Sequence, residues 1–146
     1  MGDQKILIQN KKAWHEYFIE DRYEAGMVLT GTEVKSLRNC RANLGDSYAK
    51  IKNGEIWLCQ AHISPYKEGN IFNHDPLRNR KLLLHKQQIA KLFSKTEEKG
   101  YSLIPTKIYL SNGRIKIEIA LAKGKKLYDK RDSLTAKQAK KDIRNI

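Results

Sequence analysis

Cys59-x-x-His62 comes nearest to a metal site in this chain. A thiolate and an imidazole can fill two of the four positions around a zinc ion. In an extended segment, however, positions i and i+3 lie on opposite faces. No second Cys/His pair sits at zinc-like spacing. The four histidines, His15, His62, His74 and His85, are the residue type for general acid–base cleavage of RNA, yet their spacing pairs none of them. His74-Asp75-Pro76 reads as a turn. There is no Walker loop or dinucleotide fingerprint, and Gly124-Lys125-Lys126 is too short to be one. No catalysis, metal or cofactor is expected, so the chemistry falls to recognition.

Recognition has better candidates. The run from Leu121 to Arg131 interleaves cations with Gly124 and Tyr128. A solvated tail needs neither. Gly124 can swivel away from a folded body, and Tyr128 can stack on a base between cations that meet phosphate. Glu24, among Tyr23, Ala25 and Met27, is either a solvent-facing strand carboxylate or an acceptor for base or ribose donors. The plainer role wins on residues alone. Lys116 joins Arg114, Arg78, Arg80 and Lys81 in a basic half.

Charge supports this reading. The 146 residues hold 29 Lys and Arg against 16 Asp and Glu, a net +13. Residues 1–76 are net neutral, 77–122 carry +7 and 123–146 carry +6. A polyanion is the default partner for such a field. No 18-residue apolar run is present, so no membrane-spanning helix is expected. The N-terminus lacks a secretory hydrophobic region, and Cys40 and Cys59 read as reduced thiols.

These residues need elements to hold them. Asn112-Gly113 lies between alternating segments and predicts a hairpin with a type I′ turn. Ile115, Ile117, Ile119 and Leu121 share its dry face; Arg114, Lys116 and Glu118 share the wet one. Asn53-Gly54 predicts a second hairpin within Ser47 to Ile63. His15 to Leu29 reads as one or two strands broken near Glu20-Asp21-Arg22, with Gly26 at a bulge or bend. Thr30-x-x-Glu33 predicts a capped helix ending near Asn39. A longer helix is expected from Asn79 to Lys99, with Leu82, Ile89, Leu92 and Phe93 as its stripe and Gly100 as its stop. Pro65 to Pro76 is expected as an exposed loop. Five or more short strands suggest a small antiparallel barrel over residues 1–122. Residues 123–146 hold too few apolar groups to order themselves. That tail is expected to be disordered when free and helical against a polyanion, with Ala136, Ala139 and Ile143 on one face.

Six ordered motifs carry a resemblance. They are Glu24-Ala25-Gly26, Leu29-x-Gly31-Thr32-Glu33-Val34-Lys35-Ser36-Leu37-Arg38, Asp46-Ser47-Tyr48-Ala49, His62-Ile63-Ser64-Pro65-Tyr66, the run Arg80 to Lys86, and the run Ala122 to Arg131. Together they resemble the SsrA-binding protein family, also called small protein B, over essentially the whole chain. The resemblance implies a mainly β fold, an OB-fold-like antiparallel barrel with flanking helices. It implies a bacterial, cytoplasmic, non-enzymatic protein that binds the tRNA-like domain of transfer-messenger RNA. With that RNA it enters stalled 70S ribosomes for trans-translation, its tail probing the empty message channel as a helix. Elongation factor Tu and alanyl-tRNA synthetase serve the same RNA.

Carried over by motif, the RNA-binding positions are Glu24, Leu83, His85 and Lys116, followed by Glu33, Lys35 and Arg38. The ribosome-engaging tail positions are Gly124, Lys125, Lys126, Tyr128, Asp129, Lys130 and Arg131. Some family members have Asn at His85 and His at Tyr128. The alternatives are a general single-stranded nucleic-acid binder of OB type, a basic structural ribosomal protein, and an RNA-processing enzyme without an organised catalytic constellation.

Overall fold

The computed structural model describes residues 4–68, 73–98 and 100–125. In chain order these form β1 (Gln4–Gln9), α1 (Lys11–Glu16), β2 (Tyr17–Met27), α2 (Gly31–Arg38), β3 (Ala42–Asn43), β4 (Tyr48–Lys52), β5 (Glu55–Cys59), β6 (His62–Ile63), β7 (Arg80–Leu83), α3 (Lys86–Thr96), β8 (Tyr101–Ser111) and β9 (Arg114–Gly124). The main sheet runs β1-β8-β4-β5-β7-β2-β9, and β8 also pairs with β9. Six antiparallel strands therefore close on themselves, as an OB-fold-like barrel requires. β4 meets β8 at one pair, Ala49 with Leu103, and β1 covers the other end of β8. β3 and β6 form a separate two-stranded sheet.

Both Asn-Gly turns form. Asn53 and Gly54 have φ of +53° and +76°, and Asn112 and Gly113 have +52° and +80°, the left-handed pair a type I′ turn demands. The eleven-residue strands bend around the barrel at bulges. β2 shifts register between Ile19 and Arg22, where a break is expected. β8 shifts between Pro105 and Lys107, a site where a missing proline N–H costs no ladder bond. Inside, Ile56, Leu58, Leu82, Ile108, Ile117 and Ile119 are fully buried, and Leu37 of α2 and Leu92 of α3 enter the same core. Thr30 caps α2 with the expected reciprocal box.

Several elements differ from the sequence expectation. The helix expected over 79–99 is shorter, because Arg80–Leu83 is a strand between β5 and β2. Leu82 and Arg80 point inward while Lys81 and Leu83 point out, the period of a strand. Leu82 fits a helical stripe equally well, which hid the boundary. β1 and α1 go unmarked in the sequence reading, and His15 lies in α1 rather than in a strand. Gly26 is no bulge, since it pairs regularly with Leu83 on one side and Lys116 on the other. β9 runs to Gly124, two residues past the expected barrel end at 122.

Candidate nucleic-acid interface

One ladder row organises the outer face. Leu83 pairs with Gly26, Gly26 with Lys116, Lys116 with Tyr109, and Tyr109 with Ile6. Their neighbours Leu82, Ala25, Ile117 and Ile108 belong to the core, so the strand alternation turns this row outward. Gly26 leaves the middle of the row open: a Cβ there would meet the Leu83 Cβ and Cδ1 at 3.4 Å. Leu83 is 52% exposed. A large apolar side chain on a basic surface can pack against the face of a base or ribose. His85, two residues on, is exposed at the start of α3, where its N–H is accepted by Gln88 Oε1 at 3.1 Å. At the other end α1 covers the sheet by packing Ala13 against Ile104 and Ala122.

Glu24 lies one outward step along β2 and is exposed. Tyr109 Oη donates to Glu24 Oε1 at 2.8 Å. Tyr109 is only 3% exposed, and burial followed by this bond pushes its hydroxyl pKa well above the ordinary value. Tyr109 thus stays a neutral donor and fixes the direction of the carboxylate. Sequence reading passed over Tyr109. Its signal was its place opposite Lys116 across a hairpin whose register the Asn112-Gly113 turn sets. Glu24, Leu83 and Lys116 are therefore brought to one face, and His85 follows two residues after Leu83 at the start of α3.

Glu33 is elsewhere and is already engaged. It is fully buried in α2. Arg78 grips it with Nε to Oε2 at 3.0 Å and Nη2 to Oε1 at 2.6 Å. Arg80 Nε donates to Oε2 at 2.7 Å, and the Thr30 N–H donates to Oε1 at 2.9 Å. Burial alone would raise its pKa, but these donors win and lower it to about 2. A direct RNA contact by Glu33 is not open in this structure. Arg80, counted from sequence among the polyanion-facing cations, is fully buried as well. It also donates to the Ala61 carbonyl at 2.7 Å. Burial pulls its pKa down against the pull of Glu33, yet a guanidinium remains charged. Charge counting cannot tell a buried arginine from an exposed one. Lys35 and Arg38 are exposed on α2, with the Lys35 Nζ 5.4 Å from the centre of the Tyr66 ring.

The tail is described only at its start. Gly124 is a strand residue paired with Tyr17 and has no left-handed φ, so the ladder holds it extended and it does not act as a swivel there. Lys125 Nζ donates to the Trp14 carbonyl at 3.3 Å and lies 5.3 Å from the Phe18 ring centre. Lys126, Tyr128, Asp129, Lys130 and Arg131 lie outside the described residues, as does the expected tail helix.

Cys59 is buried and His62 is exposed. No group of three or more metal-ligating side chains occurs among the described residues. His74 bonds at both nitrogens: Nε2 donates to the Ile63 carbonyl at 2.8 Å, so Nδ1 accepts from Thr32 Oγ1 at 2.8 Å. It ties the loop to α2. Among the described residues no helix is long and apolar enough to cross a membrane.

The SmpB protein family is matched over residues 7–146. The chain belongs to this family. An SsrA-binding protein of Clostridium novyi is 61% identical over 94% of this chain and 87% of its own length. One from Geobacillus thermodenitrificans is 57% identical over 97% of this chain and 92% of its own. A solved structure reported as "tmRNA-SmpB: a journey to the center of the bacterial ribosome" superposes with a TM-score of 0.72 at 44% identity, covering 90% of this chain and 93% of that one.

Proposed function

We propose that this chain binds transfer-messenger RNA (SsrA RNA) through its tRNA-like domain and delivers it to stalled ribosomes for rescue by trans-translation. The observation that carries the reading is the face shared by β7, β2 and β9. It offers a cation at Lys116, a hydroxyl-held acceptor at Glu24 and an apolar contact at Leu83, with the His85 imidazole just beyond the end of β7. Such a face fits folded RNA rather than any polyanion. The carboxylate repels phosphate and accepts from base or ribose donors, while the lysine attracts phosphate. Lys35 and Arg38 add two exposed cations on α2. The role is binding in the cytoplasm, where ribosomes work, and it needs no bond-breaking step by the protein. Elongation factor Tu and alanyl-tRNA synthetase would meet it through the shared RNA.

The cationic segment from Gly124 to Arg131 and the residues after it act on the ribosome in this reading, entering a message channel that truncation has left empty. Tyr128 supplies a ring, and Lys125, Lys126, Lys130 and Arg131 meet ribosomal RNA.

Sequencing the RNA that co-purifies with the chain from cells tests the reading. A dominant transfer-messenger RNA supports it; a broad messenger pool favours a general single-stranded binder. Salt titrations then separate the roles on the face. Lys116→Ala should lower the slope of log affinity against log salt by about one unit. Glu24→Ala should weaken binding with the slope intact. Equal slopes for wild type and both variants would remove Lys116 from the phosphate contacts.

A further inference from the structure

Next to the Glu24–Lys116 site the sheet holds a second carboxylate. Glu24 and Glu118 stand directly opposite each other in the β2–β9 ladder, where like charges repel. Each is held by its own hydroxyl: Tyr109 donates to Glu24, and Thr106 Oγ1 donates to Glu118 Oε2 at 2.6 Å. Glu118 is 16% exposed at its side chain, and its Oε2 is 3.7 Å from Arg22 Nη1. Its Oε1 has no hydrogen-bond partner among the described residues. Both carboxylates thus offer spare acceptor capacity to the same surface.

Glu118 lies in a cleft of about 250 Å³ between α1, β1 and the β8–β9 hairpin. The Arg22 guanidinium lies 5.6 Å from the centre of the Trp14 ring at its wall, and Trp14 is 47% exposed. Lys11 and Lys107 line the cleft as well. The cleft is too small for a drug-sized ligand but suits one planar base. Its parts match the ways proteins hold single RNA bases: an exposed aromatic ring with a guanidinium beside it, an edge-reading acceptor, and cations for the flanking phosphates.

We propose that this cleft takes one unpaired guanine of the bound RNA, stacked on the Arg22–Trp14 pair with its N1–H and 2-amino group donating to Glu118. Guanine is the base whose Watson–Crick edge sets two donors side by side. Adenine and cytosine place a ring-nitrogen acceptor beside their amino group, and uracil flanks its N3–H with carbonyls, so each aims a lone pair at the carboxylate. A carboxylate oxygen can accept more than one bond, so the Thr106 contact leaves room for the base. The proposal rests on the reading that this face holds RNA and assigns it a point of base selection.

Single-tryptophan protein, Trp57→Phe, reports on Trp14 by fluorescence. The probes are one RNA hairpin with a single unpaired loop guanine and its inosine and adenine replacements. Inosine lacks the 2-amino group. The guanine hairpin should quench Trp14 and bind about tenfold more tightly than the adenine form, the size of one lost bidentate base contact, with inosine between. Glu118→Gln should erase that order. Arg22→Lys, which keeps the charge and loses the plane, should abolish the quenching while leaving the salt slope unchanged. Equal binding of the three hairpins, or an order that survives in Glu118→Gln, would overturn the proposal. Full-length transfer-messenger RNA is titrated in parallel. Lys116-dependent binding of that RNA without a guanine preference removes the cleft and keeps the function. A guanine order without binding of that RNA does the reverse.

Discussion

Tyr109 shows how one hydroxyl decides what a surface carboxylate can do. Glu24 alone on a strand would sample several rotamers, and the bond from Tyr109 holds it in one. Tyr109→Phe keeps the buried ring and deletes the donor. Affinity for transfer-messenger RNA should fall about three- to tenfold, the worth of a modest hydrogen bond, and the salt slope should hold. A variant with wild-type affinity would show that Tyr109 does not position Glu24. Glu33 carries the opposite lesson, a charge turned inward. Its folded pKa of about 2 lies below the ordinary 4.5, so ionised Glu33 stabilises the fold by about 3 kcal/mol above pH 5. That contribution fades as pH falls from about 4.5 to 2. Glu33→Gln leaves Arg80 buried beside an uncharged partner and should cost about 3 kcal/mol at pH 7. Urea unfolding should show the gap to wild type closing toward pH 2; a gap independent of pH would mean the Glu33 charge is not what stabilises α2.

Elements differ in how plainly the chain announces them. The β8–β9 hairpin was legible because Asn112-Gly113 and the alternation around it point the same way. Gly113→Ala should cost about 1–2 kcal/mol, since its φ is +80°. Gly31→Ala should be neutral or slightly stabilising, because that position starts α2 with open space around it. Thermal melts compare the two, and equal losses would mean that backbone conformation is not the cause. The β7–α3 boundary was hidden for a physical reason. Arg80-Lys81-Leu82-Leu83-Leu84 is short, has no turn residue, and suits helix or strand until β5 and β2 supply partners. The same ambiguity concealed where Arg80 and Glu33 point, because their burial arises from residues 47 positions apart. α1 was missed because Lys11 to Glu16 is too short to show a period, and its N-cap, Asn10, spends its side chain on the Leu44 and Pro105 carbonyls instead. Glu24, Leu83, His85 and Lys116 came from motif resemblance, and register puts Glu24, Leu83 and Lys116 on one side of the sheet. Tyr109 needed the register itself.

At the scale of the molecule, positive charge is shared between the basic half of the barrel and the C-terminal segment. The buried core runs from Leu7 to Ala122, while residues 126–146 add seven basic and three acidic side chains. All the buried apolar residues among the described ones come before Lys123. Deleting 126–146 should therefore leave a cooperative transition with a melting temperature within about 3 °C of wild type, a shift below roughly 1 kcal/mol for a domain of this size. The same deletion tests which nucleic acid the tail serves. If the outward row holds transfer-messenger RNA by itself, affinity should stay within a few-fold, and the salt slope should drop by less than one phosphate contact. Peptide tagging on a ribosome stalled at a message end should then be lost, because the lost cations acted on the ribosome. Replacing Asp129, Lys130 and Arg131 together with alanine should reproduce that split in the full-length chain. A slope that falls by three or more units on deletion would place the tail on the transfer-messenger RNA before the ribosome is reached. Full tagging by the triple variant would leave rescue to the barrel alone.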